Sequence, residues 1–362
     1  MLWHKLNYTY LEDIEDQVGI ISRAEKLESY LAIGSNDVRI IGVWGMGGIG
    51  KTTIARAVFQ MVSSKFDGCC FLANIGKVSE NDGLIQLQER IILEIFKERL
   101  SIQDVCHGVT MISSRLRHKR ILLVLDDVNQ LKQLNNLGKK RSWFGLGSRV
   151  IITTRDKHLL EILGVDEIYD VEGLKSDEAL HLLSLKAFKR VHPPSDYIKL
   201  SKDVVNYAKG LPLAIEVLGS SLFNRSIDKW KSSLDKLKKF PNGEILEVLK
   251  ISFHGLDEAE KEIFLHIACF FNHEIKNNVE TILAYLHLYP DVGIEVLVEK
   301  SLIKVYGDEL WMHDLVQEMG RDIVYQDCPQ EPGKRSRLWL FRDIDNVLTN
   351  NTVRDYFQNL SV

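Results

Sequence analysis

Residues Gly45 to Thr53 read GMGGIGKTT, and Gly45, Gly50, Lys51 and Thr52 match the pattern GxxxxGK[ST]. The run lies where an apolar segment, RIIGVWG, gives way to an amphipathic one, KTTIARAVFQMVSS, so a strand, a loop and a helix are expected in that order. In such a loop the glycines, Gly47 and Gly48 included, let backbone N–H groups through Ile49 and Gly50 wrap phosphates, and the helix N-terminus adds the positive end of its dipole. Lys51 would reach the β- and γ-phosphates, and the Thr52 hydroxyl would ligate Mg²⁺. A second, acidic element follows: ILLVLDDV, an apolar strand that delivers Asp126, 75 residues after Lys51, and Asp127 at its end. Paired with Lys51, it describes a magnesium–nucleotide site, with Asp126 assigned to the metal and Asp127 to orienting a water.

Two further segments could do chemistry. GSRVIITTR ends an apolar strand with Thr153, Thr154 and Arg155. Ligands of open parallel sheets bind at the carboxyl ends of the strands, so Arg155 either reaches a γ-phosphate or simply caps its strand at the surface. WMHDLVQEMG places His313 and Asp314 before an amphipathic helix. Asp314 is read as the N-cap, Gln317 as the third helical position of a capping-box-like start, and Val316, Met319 and Ile323 as the buried stripe.

These residues need a scaffold, and the patterning supplies one. From about residue 38 to 171, continuous apolar runs (RIIGVWG, GCCFLANI, RILLVLDDV, SRVIITTR) alternate with helical segments (KTTIARAVFQMVSS, LIQLQERIILEIF, GVTMISSRLRH). Runs of that kind are parallel strands covered on both faces, which gives an α/β doubly wound domain. The signal then turns helical to Pro241, with breakers at Pro193-Pro194 and Gly210 and with Pro212 placed at a helix start. Beyond it come three helical patterns and the segment LIKVYGDELWM, read as a hairpin around Gly307-Asp308, so a winged helix is expected. The boundaries drawn are 1–16 for an N-terminal linker, 17–171 for the P-loop nucleotide-binding domain, 172–240 for the helical domain, 241–327 for the winged helix and 328–362 for a C-terminal linker or truncated tail.

Composition narrows the function classes. The 362 residues are 45% hydrophobic and 27% charged with a net charge of −4, an ordinary globular balance with no general pull toward nucleic acid or anionic lipid. Basic clusters at 118–120, 139–141, 236–239 and 334–337 are read as solvated faces. No stretch approaches the roughly 20 apolar residues that cross a bilayer. Five cysteines without metal spacing point to a reducing compartment, with Cys69, Cys70 and Cys269 read as core.

The ordered set VGI (Val18 to Ile20), GMGGIGKTT, LLVLDDV, GSRVIITTR, GLPLA, FLHIACFF and MHD resembles the NB-ARC module of plant intracellular disease-resistance receptors. FLHIACFF and DLVQEMGRDIV resemble the class that carries an N-terminal TIR domain. The resemblance covers about residues 17 to 350. It implies a STAND/AAA+-like P-loop NTPase sheet followed by a helical ARC1 domain and a winged-helix ARC2 domain, folded around ADP at rest and rearranged with ATP when active. It further implies that Gly50, Lys51, Thr52 and Thr53 hold phosphates, Asp126 the Mg²⁺, and Arg155 the γ-phosphate. Val18, Gly19, Ile20 and Pro212 would pack on adenine, and His313 would contact the β-phosphate of ADP. The chain departs from the family's usual sequence at His266, where FLDIACFF has Asp, and at Ile21, where VGIDSR has Asp.

The resemblance also implies assembly with related full-length receptors on activation and a cytoplasmic location, with the nucleus as a second compartment. No TIR segment precedes residue 17 and no leucine-rich repeat follows 350 in this sequence, so no NADase activity and at most slow ATP hydrolysis are expected. Two other classes compete. A DNA-associated P-loop ATPase with a winged helix would need a basic recognition helix, yet GIEVLVEKS carries two Glu and one Lys. A small-molecule kinase would need a phosphoacceptor pocket, for which the sequence offers no candidate.

Overall fold

A computed structural model describes residues 18–80, 83–138, 140–237 and 241–350. The chain forms two compact units, Met1–Asn224 and Arg225–Val362. The expected 1–16 linker lies outside the described residues.

In the first unit, helix α1 (Ile20–Leu31) precedes strand β1 (Arg39–Trp44), the phosphate-loop sequence and α2 (Lys51–Val62). Then follow β2 (Gly68–Leu72), α3 (Ile75–Ser79), α4 (Leu84–Phe96), α5 (Val105–Leu116), β3 (Ile121–Val128), α6 (Leu131–Leu137), β4 (Arg149–Thr154), α7 (Lys157–Leu163) and β5 (Glu167–Asp170). The sheet order is β2-β3-β4-β1-β5, with every neighbouring pair parallel. The central strands are buried on both faces, as their unbroken apolar runs require. Leu123, Leu125, Val150 and Ile152 join Leu87, Ile91, Ile92 and Ile95 of α4 in one core layer. Helices α1 and α2 pack on the sheet through Leu27, Leu31, Ile54 and Val58. Each such side chain contributes on the order of 2 kcal/mol on burial.

Strand β5 is not among the four apolar runs read from the sequence. It is a four-residue edge strand, Glu-Ile-Tyr-Asp, with Tyr169 its only fully buried residue. Pairing with β1 holds it in the sheet, and no apolar run announces it. Arg149, at the start of β4, is almost wholly buried and donates to the carbonyls of Leu31, Ala32, Ser35 and Asp37. It thereby helps to satisfy the Leu31 and Ala32 carbonyls at the C-terminal end of α1, where a helix lacks donors of its own. Helices α8 (Ser176–Phe188), α9 (Ile198–Ala208) and α10 (Pro212–Leu222) complete this unit and pack on one another.

The second unit contains α11 (Ile227–Leu237), α12 (Gly243–His254), α13 (Glu258–His266), a π-helical stretch Ile267–Phe271, α14 (Lys276–Tyr285) and α15 (Pro290–Glu299). The antiparallel hairpin of β6 (Lys304–Tyr306) and β7 (Glu309–Trp311) follows, turning at Gly307-Asp308 with Gly307 at φ 62°. Three helices and this two-stranded wing make the expected winged helix. Helix α11, read with the preceding helical domain, falls in the second unit, after a left-handed turn at Asn224.

Two local expectations are corrected here. The segment after residue 328 is not merely a linker: α17 (Phe341–Thr349) forms, and Arg335 and Arg337 are buried rather than solvated. Arg335 donates to the carbonyls of Cys328 and Pro329 and pairs with Asp343, while Arg337 pairs with Glu262. Their partners come from backbone and from distant carboxylates, which a count of local charge does not register. Of the other basic clusters, Lys139 and residues 238–239 lie outside the described residues. All five cysteines are free, with Cys70 and Cys269 buried and Cys69 half-buried. Burial pushes the Cys69 and Cys269 thiols up to about 11 and also raises Cys70 well above the usual thiol range. Among the described residues, no helix is long and apolar enough to cross a membrane.

Candidate functional site

The site-forming residues of the first unit gather at the carboxyl end of the sheet. Gly45, Gly48 and Gly50 have φ of 153°, 77° and 101°, so the loop after β1 takes a path that residues with a Cβ rarely follow. Gly47 and Ile49 complete it, and Gly50 is the residue at the N-terminus of α2. Lys51 is buried, and its Nζ donates to the carbonyls of Gly45 at 2.6 Å and Met46 at 2.9 Å. Burial and the Arg155 charge pull its pKa down to about 7, against the weaker upward pull of Asp127 and Asp126.

Strand β4 lies between β1 and β3, so its end stands between the loop and the acidic pair and supplies Thr153 to the latter. Asp126 is fully buried. Its Oδ1 accepts from Thr52 Oγ1 at 2.8 Å and Thr153 Oγ1 at 2.7 Å, and its Oδ2 lies 3.4 Å from the Asn74 amide. The β3–β4 register shifts between Leu125 and Val128, and Asp127 takes φ 55° within that irregularity. The Asp127 amide donates to Thr153 Oγ1 at 2.8 Å, so one threonine hydroxyl fixes both acids. A non-glycine residue held left-handed costs of order 1 kcal/mol, and such strain clusters at functional sites. The bulge turns consecutive residues to different sides: Asp126 inward to Thr52, Asp127 outward to Arg155, whose Nε is 3.8 Å from its carboxylate.

The role of Thr153 is not evident from the sequence. Its position in the TTR run at a strand end was the available signal, but the bond to a carboxylate 27 residues earlier depends on β4 inserting beside β3. Gly210-Leu211-Pro212-Leu213 also gains a physical role. The Leu213 amide donates to the Gly48 carbonyl at 3.2 Å, and Pro212 opens α10. A Cβ on Gly48 would lie 2.7 Å from Leu213, so loop and helix start are in close approach.

Beside this loop is a cavity of about 660 Å³. Its apolar walls include Val18, Ile20, Ile49, Leu182 and Pro212, and Gly50 and Thr53 form its edge. Gly19, at φ 73°, turns the chain between Val18 and Ile20. The structure thus brings together Val18, Ile20, Gly50, Thr53 and Pro212, which the sequence separates by up to 194 residues. Ile21, at one position of departure from the family pattern, is exposed.

Asp126, Thr52 and the neighbouring loop offer hard oxygen donors next to the P-loop lysine. Carboxylate and hydroxyl oxygens suit Mg²⁺, which takes few protein ligands beside phosphates, so this donor set fits that ion.

His313 belongs to the second unit. Helix α16 runs Asp314–Asp327 and its N-cap is His313, whose Nδ1 accepts from the Leu315 amide at 3.2 Å. This corrects the assignment of the cap to Asp314, which is instead the first helical residue. Gln317 completes no capping box either: its side-chain Nε2 donates to the Ala268 carbonyl at 3.0 Å. An imidazole nitrogen two residues upstream reaches the same amide that a carboxylate cap would take. Leu315, Val316, Met319 and Val324 are buried in this helix, whereas Ile323 is half-buried. Since Nδ1 accepts, neutral His313 carries its proton on Nε2.

A parallel sheet with a glycine-rich loop after β1, a buried lysine in that loop, and an aspartate and threonine joined across β3 and α2 define a P-loop NTPase. A Walker-type ATPase of Pyrococcus abyssi has the same fold, with a TM-score of 0.56 at 15% identity over 83% of this chain and 95% of that one. Residues 22–192 match the NB-ARC domain, and residues 257–328 match the winged-helix domain described as Disease resistance protein Roq1-like. The chain is 44% identical to TMV resistance protein N of Nicotiana glutinosa and 43% identical to disease resistance protein RUN1 of Vitis rotundifolia, over 96% of its length in both. It belongs to the nucleotide-binding NB-ARC family of plant disease-resistance proteins. It spans 30% and 26% of the lengths of those two relatives.

Proposed function

We propose that this chain is an ADP/ATP switch of plant immune signalling, holding ADP at rest and ATP when active. The observation that carries the reading is the 660 Å³ cavity opening beside Gly50 and Thr53, at the loop that buries Lys51, with Val18, Ile20, Ile49, Leu182 and Pro212 as an apolar wall and Arg56, Lys186 and Lys189 as cationic lining. Val18, Gly19, Ile20 and Pro212 take the base, whose flat apolar faces suit such walls. Backbone N–H groups from Gly47 to Gly50, with Thr53, hold the phosphates, and Lys51 exchanges the Gly45 and Met46 carbonyls for phosphate oxygens. Thr52 and Asp126 hold Mg²⁺, which supplies charge neutralisation between phosphate oxygens when bound.

Arg155 reports the γ-phosphate. It lies at a strand end beside Asp127, and its charge is felt at Lys51, so an added anion there would compete with Asp127 for the guanidinium. Asp127 orients water at most weakly, because its left-handed backbone and its pairing with Arg155 direct it away from Thr52. Hydrolysis is accordingly slow. His313 donates Nε2–H to the β-phosphate of ADP and so joins the winged helix to the resting state; loss of this donor favours the open state. Assembly with related full-length receptors follows activation, in the cytoplasm or the nucleus.

Equilibrium binding tests the sensor. Arg155→Ala should lower affinity for ATP by at least about tenfold, the equivalent of one charge-assisted contact, while leaving ADP within about twofold. Equal losses for the two nucleotides would remove Arg155 from the γ-phosphate role.

A further inference from the structure

One guanidinium joins the segments that wall the cavity. Arg23, in α1, donates Nη1 to the Gly19 carbonyl at 2.6 Å and to Glu178 Oε1 at 3.0 Å. Its Nη2 donates to the Gly173 carbonyl at 2.8 Å and to Glu178 Oε2 at 2.9 Å. Both side chains are largely withdrawn from solvent, at 12% and 19% exposure. Glu178 is itself fixed by its own helix start, since Oε2 also accepts from the Lys175 amide at 2.9 Å.

The tie continues through the backbone. The Leu174 amide donates to the Gly210 carbonyl at 2.8 Å, and Leu213 donates to Gly48. The strip at 18–20, the linker at 173–174, the turn that carries Pro212 and the phosphate loop are therefore linked in series around one cavity. Gly19 is the residue the arrangement demands. A Cβ there would lie 2.6 Å from Arg23 Nη1 and 2.7 Å from Glu178 Oε1, in a backbone conformation that already favours glycine.

We propose that Arg23 and Glu178 are positioning residues that clamp the Val18–Ile20 strip onto the base cavity and thereby set how long a nucleotide is retained. The inference rests on the nucleotide reading given above. An exposed ion pair would contribute little. This one is bidentate, mostly desolvated, and also donates to two backbone carbonyls, so its removal takes away the bonds to Glu178 Oε1 and the Gly173 carbonyl and weakens those to Glu178 Oε2 and Gly19. Lysine cannot replace it, because one ammonium does not span two carbonyls and both carboxylate oxygens. The clamp acts on the base wall and touches neither Lys51 nor Thr52, so its effect is confined to ligands that carry a base.

The test compares ADP with inorganic pyrophosphate on the full chain and on Arg23→Lys and Glu178→Gln, each a conservative change that keeps size and local helix capping. The expected result is ADP dissociation faster by at least about tenfold in both variants, with pyrophosphate affinity within about twofold of the parent. Unchanged ADP dissociation overturns the clamp. So does a parallel loss of ADP and pyrophosphate, which marks general loosening of the fold. If the parent chain itself binds ADP no better than pyrophosphate, the base cavity reading fails instead, and the two failures are thereby distinguished.

Discussion

Lys51 should take up a proton when a nucleotide binds. Its Nζ is buried against the Gly45 and Met46 carbonyls, and burial together with Arg155 brings its pKa from 10.5 to about 7. A polyphosphate beside the amine favours the ammonium and returns the pKa toward its ordinary value. At pH 8 roughly nine-tenths of the ligand-free lysine is neutral, so binding ADP should take up about 0.9 proton, against about 0.1 at pH 6. Calorimetric titration in two buffers of different ionisation enthalpy reads that number directly, from the difference in apparent heat. Lys51→Arg keeps the charge but does not titrate, and should abolish the buffer dependence at pH 8. The same shift governs stability. The unfolded chain binds more protons than the folded one between about pH 7 and 10.5, so the stability of the ligand-free protein rises with pH through that window and is most reduced below 7. The full shift corresponds to an upper bound of about 5 kcal/mol, and Lys51→Met should flatten the rise. Heat that is independent of buffer at pH 8 would refute the placement of an uncharged lysine in the loop.

Two other changes separate structure from binding. His313→Ala should lose about 1 kcal/mol from the α16 start and also speed ADP release, whereas His313→Asn restores the cap through its side-chain oxygen but not the Nε2–H donor. Thermal melts and ADP off-rates measured on both variants check this, and full recovery of retention by Asn would exclude a phosphate contact. His266 is half-buried and stacked near Phe271, and burial, then Arg337, lowers its pKa to about 4. Its folded pKa lies below the unfolded value of 6.5, so it contributes stability that is lost as pH falls from about 6.5 to about 4. Denaturant titrations across that range should show a smaller loss for His266→Gln, and an identical pH profile would contradict the assignment.

Much of this arrangement was legible in the sequence because it is local or periodic. The phosphate loop, the strand that delivers Asp126 and the hairpin at Gly307-Asp308 each declare themselves within ten residues. The fold class followed from continuous apolar runs, which only a sheet covered on both faces makes soluble. What escaped was long-range or short. Strand β5 has too little apolar character to register. Thr153 matters because β4 inserts between β1 and β3, and strand order cannot be read from composition. Arg335 and Arg337 looked like part of a solvated basic run, because carbonyls and distant carboxylates satisfy them. The cap of α16 fell on His313 rather than Asp314 because an imidazole nitrogen can also accept from a helix amide. The resemblance placed Val18 and Pro212 with adenine, but the Arg23–Glu178 tie joins residues 155 apart and shows no sequence pattern.

The identity of the nucleotide carried by the purified chain tests the central claim most directly. Protein prepared without added nucleotide, washed and heat-denatured, should release close to one ADP per chain by mass spectrometry, and Lys51→Ala should release almost none. A folded wild-type chain that releases no nucleotide, or one that carries a guanine nucleotide instead, would contradict an ADP-held resting state.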